Sequence, residues 1–348
     1  MNSSTPSTLE ALEQRGLIES PAEDPQLSAV AARYSVAVTP AMLDLIDPAD
    51  PADPIAAQFV PDVRELETMP DERRDPIGDA AHAPLPGIVH RYADRLLLMP
   101  LRLCPVYCRF CFRRETVGHA EDAMLSTAEL DAALDYIRSQ TDVWEVILSG
   151  GDPFLLSTRR IGELLDQLAA IEHVRVIRIH TRVPVVDPQR IDTELVTTLR
   201  RSTAVYVVLH TNHPRELTPD ALAACARLVD SGIPMLSQSV LLKGVNDDAA
   251  TLEQLLRTLV EHRVKPYYLH HADPAPGTAH FRTDVASGQA LLRDLRGRVS
   301  GLCQPEYVLD IPGGHGKVPV GPVWHEPTDD GLCVRDPSGN THIVEAAS

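Results

Sequence analysis

Three cysteines fall within eight positions of the stretch LCPVYCRFCFRRETVG, residues 103–118: Cys104, Cys108 and Cys111. Thiolates at Cys-x3-Cys-x2-Cys spacing can wrap a loop around one metal centre. A structural zinc wants four ligands, and its usual spacings come as paired Cys-x2-Cys halves, of which no second half is evident. An iron–sulfur cube held by three cysteines leaves one iron without a protein ligand, open to a substrate or cofactor. A second stretch, VLDIPGGHGKVPVGP at 308–322, sets Lys317 among glycines. It fails the phosphate-loop pattern Gly-x4-Gly-Lys-Ser/Thr at Val318, and by its residues alone it is a glycine-rich surface loop.

Chemistry of either kind needs a scaffold that brings distant residues to one place. From about residue 95, short apolar or β-branched runs alternate with segments of helical period. The runs are LLLMP (96–100), WEVILSG (144–150), VRVIRIHTR (174–182), VYVVLH (205–210), PMLSQSV (234–240) and KPYYLHH (265–271). The helical stretches are Ser126 to Ser139, opening on a Ser-Thr-Ala-Glu capping box, then Ser157 to Glu172, Pro188 to Arg201, Thr218 to Ser231, Ala249 to Glu261 and Val285 to Arg298. Six strands alternating with six helices predict parallel βαβ units with right-handed crossovers, an α/β fold curled into a partial (β/α)6 TIM-like barrel. A doubly wound open sheet is the alternative. Both put chemistry at the C-terminal ends of strands, where polar residues do gather. The cysteines follow the first strand, SGGDP the second, HTR the third and HTNHP the fourth; Gln238 lies late in the fifth, and HHADP ends the sixth.

The first 90 residues are rich in Pro, Ala and Asp, with DPADPADP at 47–54, and offer short helical segments at Thr8 to Leu17 and Ala41 to Leu45. Three segments are expected: a helical or extended wrap over 1–90, the barrel over 91–300, and a C-terminal segment carrying Lys317 over 301–348. Of 348 residues 44% are apolar, normal for a globular chain with a sizeable core. With 32 Lys and Arg against 49 Asp and Glu the formal charge is −17, which repels nucleic acid and anionic membrane. No run is long and apolar enough to span a bilayer, and the N-terminus lacks the order of a signal peptide, so a cytoplasmic protein is expected. Cys225, Cys303 and Cys333 lie far apart in sequence and receive no role.

The cysteine spacing, with Phe110 before the last cysteine, resembles the radical S-adenosylmethionine superfamily. The resemblance implies a 4Fe–4S cluster on Cys104, Cys108 and Cys111, whose open iron chelates S-adenosylmethionine and, once reduced, cleaves it to a 5′-deoxyadenosyl radical. Gly150, Gly151 and Asp152 match the superfamily's Gly-Gly-Glu-like position at the methionine part of that cofactor; on its own, Gly-Gly-Asp-Pro is a strand-to-helix turn. His210 and Gln238 also fall where related enzymes touch S-adenosylmethionine. Pro-Gly-Gly-x-Gly-Lys resembles the pyridoxal phosphate motif of the lysine 2,3-aminomutase family, which makes Lys317 the Schiff-base lysine. The likeness runs from LPGIVHRYADR (85–95) to GGHGKVPV (313–320), with His315 where the family commonly has glycine. Arg91, Tyr92 and Arg95 fall at the family's pyridoxal phosphate contacts, and guanidinium forks suit a phosphate.

For the substrate, Arg113 matches the family arginine that pairs with the α-carboxylate, and Asp273 and Asp310 match the two carboxylates that hold the distal ammonium of lysine. Two buried carboxylates repel unless a cation sits between them, which argues for L-lysine and against glutamate. The implied reaction moves the amino group from C2 to C3, giving β-lysine. Three alternatives stand beside it: a relative forming β-lysine for modification of elongation factor P, an aminomutase for glutamate or arginine, or a radical enzyme of another kind in which Lys317 is structural. A non-catalytic iron–sulfur protein is a further class. The family's longer members bind zinc through C-terminal cysteines and one in the loop after the fifth strand. Asp248 stands at that loop position here and the tail carries only Cys333, so no zinc is expected, and a homodimer rather than a tetramer. A flavodoxin or ferredoxin is the expected electron donor, with no nucleic acid or membrane partner.

Overall fold

The computed structural model describes residues 8–20, 24–118, 123–329 and 331–345. The chain opens on four short helices, α1 (Leu9–Glu13), α2 (Pro25–Arg33), α3 (Pro40–Leu43) and α4 (Pro54–Phe59). Two of these were not foreseen. Proline at the first helical position lacks only an N–H that the helix leaves unbonded anyway, and its φ is already helical. Asp24 and Asp53 each cap such a proline, accepting backbone N–H groups from the first turn, so an Asp-Pro pair, such as the last one of the low-complexity stretch, can start a helix.

An antiparallel hairpin, β1 (Ile88–Tyr92) and β2 (Arg95–Leu101), leads into the repeating units. There follow α5 (Thr127–Ser139), β3 (Glu145–Gly150), α6 (Thr158–Ala169), β4 (Val176–Thr181), α7 (Val183–Val186), α8 (Thr193–Leu199), β5 (Ala204–His210), α9 (Pro219–Asp230), β6 (Met235–Leu241), α10 (Ala249–Glu261), β7 (Val264–His271), α11 (Val285–Arg296) and β8 (Glu306–Asp310). Each long crossover helix starts on a side chain that accepts a backbone N–H: Ser126, Ser157, Asp192, Thr218, Asp248 and Asp284. Such a cap contributes about 1 kcal/mol. Ser126 and Glu129 form the expected capping box.

All six expected strands are present, and β2 to β8 pair in parallel in sequence order. That order has no reversal point, which excludes the doubly wound sheet. The sheet, opening on β1, does not close on itself, so the barrel is partial. β8 adds a seventh parallel strand that the sequence reading had left in the C-terminal segment. It turns back through residues 311–316 into antiparallel β9 (Lys317–Pro319), in a register that sets Lys317 opposite Asp310. A separate antiparallel sheet, β10 (His325–Thr328), β11 (Gly331–Arg335) and β12 (Thr341–Glu345), follows. Among the described residues no helix is long and apolar enough to cross a membrane.

The N-terminal segment shares one core with the barrel. Leu12, Val38, Met42, Ile55 and Phe59 pack in the same cluster as Leu98, Leu134, Leu165 and Ile179. It also grips the loop between β2 and α5. Glu65, fully buried, receives Arg109 through Nε at 2.9 Å and Nη2 at 2.6 Å, and Arg114 through Nη2. The backbone adds Tyr107 N to Ala37 O at 3.0 Å and Arg109 N to Gln58 O at 2.9 Å. Removing the acid from between two buried guanidinium groups strands both charges, a loss of about 3–5 kcal/mol for such sites. Glu65→Ala is therefore expected to lower the free energy of unfolding by that much in urea titration, whereas Glu67→Ala, on the surface two residues on, should leave it within about 0.5 kcal/mol.

Candidate functional site

Alternation along the strands decides what faces the barrel interior. Ile177 and Ile179 of β4, Val207 and Leu209 of β5, and Val146 and Leu148 of β3 pack outward in the main core. Their neighbours Arg178, His180, Tyr206, His210, Ile147 and Ser149 therefore line the other face. On β7 and β8, Leu269 and Tyr307 pack in a second apolar cluster, which turns His270 and Asp310 inward. Three histidines thus converge on the interior from three strands. The Nε2 atoms of His180 and His210 are buried without a hydrogen-bond partner. Burial, then the Arg182 guanidinium, pushes His210 down to about 3, so this ring is neutral at ordinary pH. Gln238 is its register partner across β5 and β6, which brings the two expected S-adenosylmethionine contacts side by side.

The three cysteines lie in the loop after β2, partly exposed and unbonded to one another. Among the described residues no three metal-ligating side chains converge closely enough to hold a single ion. Three cysteines in one loop without a fourth fit a 4Fe–4S cluster, which leaves one iron open, better than a four-ligand zinc. Burial, the Asp152 carboxylate and the other two thiols push Cys104 well above the usual thiol range, and burial with Cys108 takes Cys111 up to about 11. Thiols so placed stay protonated until a metal claims them.

Gly150 and Gly151 serve the chain itself. A Cβ on Gly151 would sit 2.2 Å from Leu103 O, and one on Gly150 would sit 2.9 Å from Leu101 O. Gly151 N donates to Leu101 O and Asp152 N to Leu103 O, both at 2.8 Å, so the end of β3 carries the start of the cysteine loop. The Asp152 carboxylate turns the other way. It accepts from Arg182 N at 2.7 Å, Thr181 Oγ1 at 2.8 Å and Phe154 N at 3.0 Å, tying β3 to β4. Both oxygens of this carboxylate thus have internal donors.

Across the interior stands a chain of alternating charge. Arg113 donates to Asp79 Oδ2 at 2.8 Å, and Asp79 Oδ1 accepts from Arg91 at 3.1 Å. Arg91 lies 3.7 Å from Asp310, and Asp310 pairs with Lys317 Nζ. Lys317 Nζ also lies 3.2 Å from His270 Nδ1. Asp273 completes the group, at the floor of an open cleft of about 560 Å³ that Asp310 also lines. Burial and the nearby Asp310 carboxylate push Asp273 up to about 7, against the pull of Lys317 and Arg113. Tyr92 OH accepts the backbone N–H of Lys317 at 2.7 Å, and the Arg95 guanidinium lies 3.8 Å over the Tyr92 ring. Tyr92 thus touches the backbone of Lys317, Arg91 reaches the carboxylate that pairs with Lys317, and Arg95 pairs with Asp94 while stacking on Tyr92. The ammonium, with the Arg91 guanidinium beside the same carboxylate, suits an aldehyde cofactor bearing a phosphate.

The sequence reading missed Asp79, His180, His270 and Arg182. The last three sit inside strand-end clusters it had singled out, HTR and HHADP, and alternation would have marked His180 and His270 as sharing a face. Asp79 carried no signal, since both its arginines are distant or on another element.

Residues 98–256 match the Radical SAM superfamily. L-lysine 2,3-aminomutase of Clostridium subterminale is 44% identical over 287 residues, covering 82% of this chain and 69% of that one. A putative L-lysine 2,3-aminomutase of Aquifex aeolicus is 41% identical over 303 residues, 87% of this chain and 82% of the other. Glutamate 2,3-aminomutase of Clostridioides difficile is 37% identical over 302 residues, 87% and 71% respectively. The chain belongs to the lysine 2,3-aminomutase family of radical S-adenosylmethionine enzymes, isomerases that work with a 4Fe–4S cluster, S-adenosylmethionine and pyridoxal phosphate.

Proposed function

We propose that this chain converts L-lysine to β-lysine by moving the amino group from C2 to C3. The observation that carries the reading is the placement of Lys317 beside Asp310, with Asp273 and Arg113 close by: an ammonium, two carboxylates and a guanidinium in one interior. When bound, the cluster and S-adenosylmethionine supply the hydrogen-abstracting radical, and pyridoxal phosphate supplies the carrier for the migrating nitrogen. Cys104, Cys108 and Cys111 hold the cluster. His210 and Gln238 flank S-adenosylmethionine, while Gly150, Gly151 and Asp152 fix the loop that presents the cluster to it. Lys317 is the attachment point for pyridoxal phosphate, with Arg91 and Arg95 for its phosphate and Tyr92 fixing the lysine backbone.

Arg113 takes the substrate α-carboxylate in exchange for Asp79, a like-for-like replacement of one carboxylate by another. Asp273 and Asp310 hold the distal ammonium; Asp310 faces the chain's own ammonium, so it is already matched to that charge. Glutamate would set a third carboxylate against the two aspartates, and like charges so close in a poorly solvated site repel strongly. A low-potential one-electron donor of the flavodoxin or ferredoxin class supplies the reducing electron.

Borohydride reduction after loading with pyridoxal phosphate should label one peptide, the one containing Lys317, and Lys317→Ala should abolish the label. In an anaerobic assay with reconstituted cluster, dithionite and both cofactors, β-lysine should form from lysine, with no β-amino acid from glutamate or arginine. An unlabelled Lys317 peptide would sink the aminomutase reading, and turnover of glutamate instead of lysine would sink the use of the aspartates.

The raised Asp273 carboxyl adds a pH dependence. Below about pH 7 it holds a proton, and an ammonium between Asp273 and Asp310 needs both groups ionised. Binding of lysine should therefore release a proton, and affinity should fall as pH drops through 7, approaching about tenfold per unit, with a plateau above. Calorimetry in buffers of different ionisation enthalpy reads the released proton. Asp273→Asn should bind more weakly and without that pH slope.

A further inference from the structure

Arg182 stands just past the C-terminal end of β4 and has no part in the reading above. It is 5% exposed, and both terminal nitrogens of its guanidinium are engaged while Nε has no partner. Nη1 donates to Cys108 Sγ at 2.8 Å. Nη2 donates to Gln58 Oε1 at 2.6 Å and to Glu216 Oε2 at 2.7 Å. The guanidinium carbon lies 4.6 Å from the centre of the Phe59 ring and 5.5 Å from that of Phe110. Among the described residues no other side chain donates a hydrogen bond to a cysteine of the loop.

The arrangement is held from both sides. Glu216 does not depend on Arg182 for its position. Its Oε1 accepts from Asn212 N at 3.0 Å, His213 N at 2.9 Å and Gln58 Nε2 at 3.1 Å. Gln58, from α4, spans the two, giving Nε2 to Glu216 and Oε1 to Arg182. A guanidinium gripped by two fixed acceptors and two rings cannot swing away from the sulfur. Lysine could not substitute, because one ammonium has no rigid fork to serve three acceptors spread around it.

We propose that Arg182 sets the reduction potential of the iron–sulfur cluster, by directing one N–H and a buried positive charge at the Cys108 sulfur. The proposal rests on the cluster being bound by the three cysteines. Reduction adds one electron to the cluster and no proton, so the negative charge on its sulfurs grows. A hydrogen-bond donor and a cation held against one of those sulfurs stabilise the reduced form more than the oxidised one. Glu216, on the far side of the same guanidinium, opposes this by drawing the charge away from the sulfur. Arg182 is thus a tuning residue that acts through Cys108.

The test is a redox titration of the reconstituted full chain, without S-adenosylmethionine or substrate, with the reduced cluster read by electron paramagnetic resonance and the oxidised one by visible absorbance. Arg182→Gln should lower the midpoint potential, making reduction at least about tenfold less favourable, or about 59 mV for one electron. Glu216→Gln should shift it the opposite way. Iron per chain is measured in each. A loaded Arg182→Gln cluster with an unmoved potential overturns the proposal. Should Arg182→Gln take up no iron, Glu216→Gln decides: a loaded cluster with an unmoved or lowered potential overturns it as well. A wild-type chain that takes up no cluster overturns the cluster assignment and this proposal together, whereas loaded chains of equal potential overturn the proposal alone.

Discussion

The loop between β2 and α5 must hold three thiols apart in a fixed pattern, yet none of its residues from 102 to 118 belongs to a helix or strand. Everything in the site depends on what fastens it. Single backbone hydrogen bonds tie it to Asp152, Ala37 and Gln58, and buried arginines add to them. Arg109 and Arg114 from the loop meet Glu65, while Arg182 from β4 meets Cys108, Gln58 and Glu216. Buried charge is expensive to desolvate, by several kcal/mol per ion, and an isolated pair often does no better than apolar packing. What a guanidinium offers in exchange is direction. Its planar fork fixes the angle as well as the distance to each acceptor, and a loop with no ladder of its own needs angles.

The same constraint explains the N-terminal segment. An open arc of strands has two edges and an exposed mouth, and the residues that grip the cysteine loop from outside, Gln58 and Glu65, come from this segment. Its apolar side chains join the barrel core, which anchors the grip. On the opposite wall, Asp79 comes from the same region and stands between Arg113 and Arg91. The interior therefore reads as a row in which each cation has a carboxylate beside it. In a poorly solvated space such a row is stable only when neighbours match in sign, and an incoming carboxylate or ammonium is accommodated by exchanging with a group of its own charge.

Much of this was legible in the sequence, and the limits have physical causes. Spacing revealed the cluster cysteines because three thiols must approach one centre from one short loop. Six strands and six crossover helices were visible because period 2 and period 3.6 are local properties. β8 was not counted because EYVLD is short and runs into a glycine turn, so a strand buried by its neighbours looked like part of a loop. Helices α2 and α4 were hidden by proline taken as a breaker where it is a first residue. Asp79, Glu65, Glu216 and Arg182 could not be found by spacing, because each meets partners on other elements, mostly far along the chain, and only the fold makes them neighbours.

Two glycine pairs show how a motif can point to the right place for a different reason. SGGDP and PGGHGK both invite a ligand, since glycine lets a backbone come close to one. At Gly151 the close approach is to Leu103, and a Cβ would overlap its carbonyl. At Gly313, Gly314 and Gly316 the backbone takes positive φ of 92°, 89° and 96°, which non-glycine residues adopt only with strain. Ile311 N closes that turn on Gly316 O at 2.8 Å, and the resulting register sets Lys317 across from Asp310. The turn also meets residues 78–82, where a Cβ on Gly78 would lie 2.3 Å from Gly314 N and His82 Nε2 lies 2.9 Å from Gly314 O. The glycines position a cysteine loop in one case and a lysine in the other. The chemistry is delegated to side chains one or more residues away, whose aim is only as good as the backbone contact that only glycine permits.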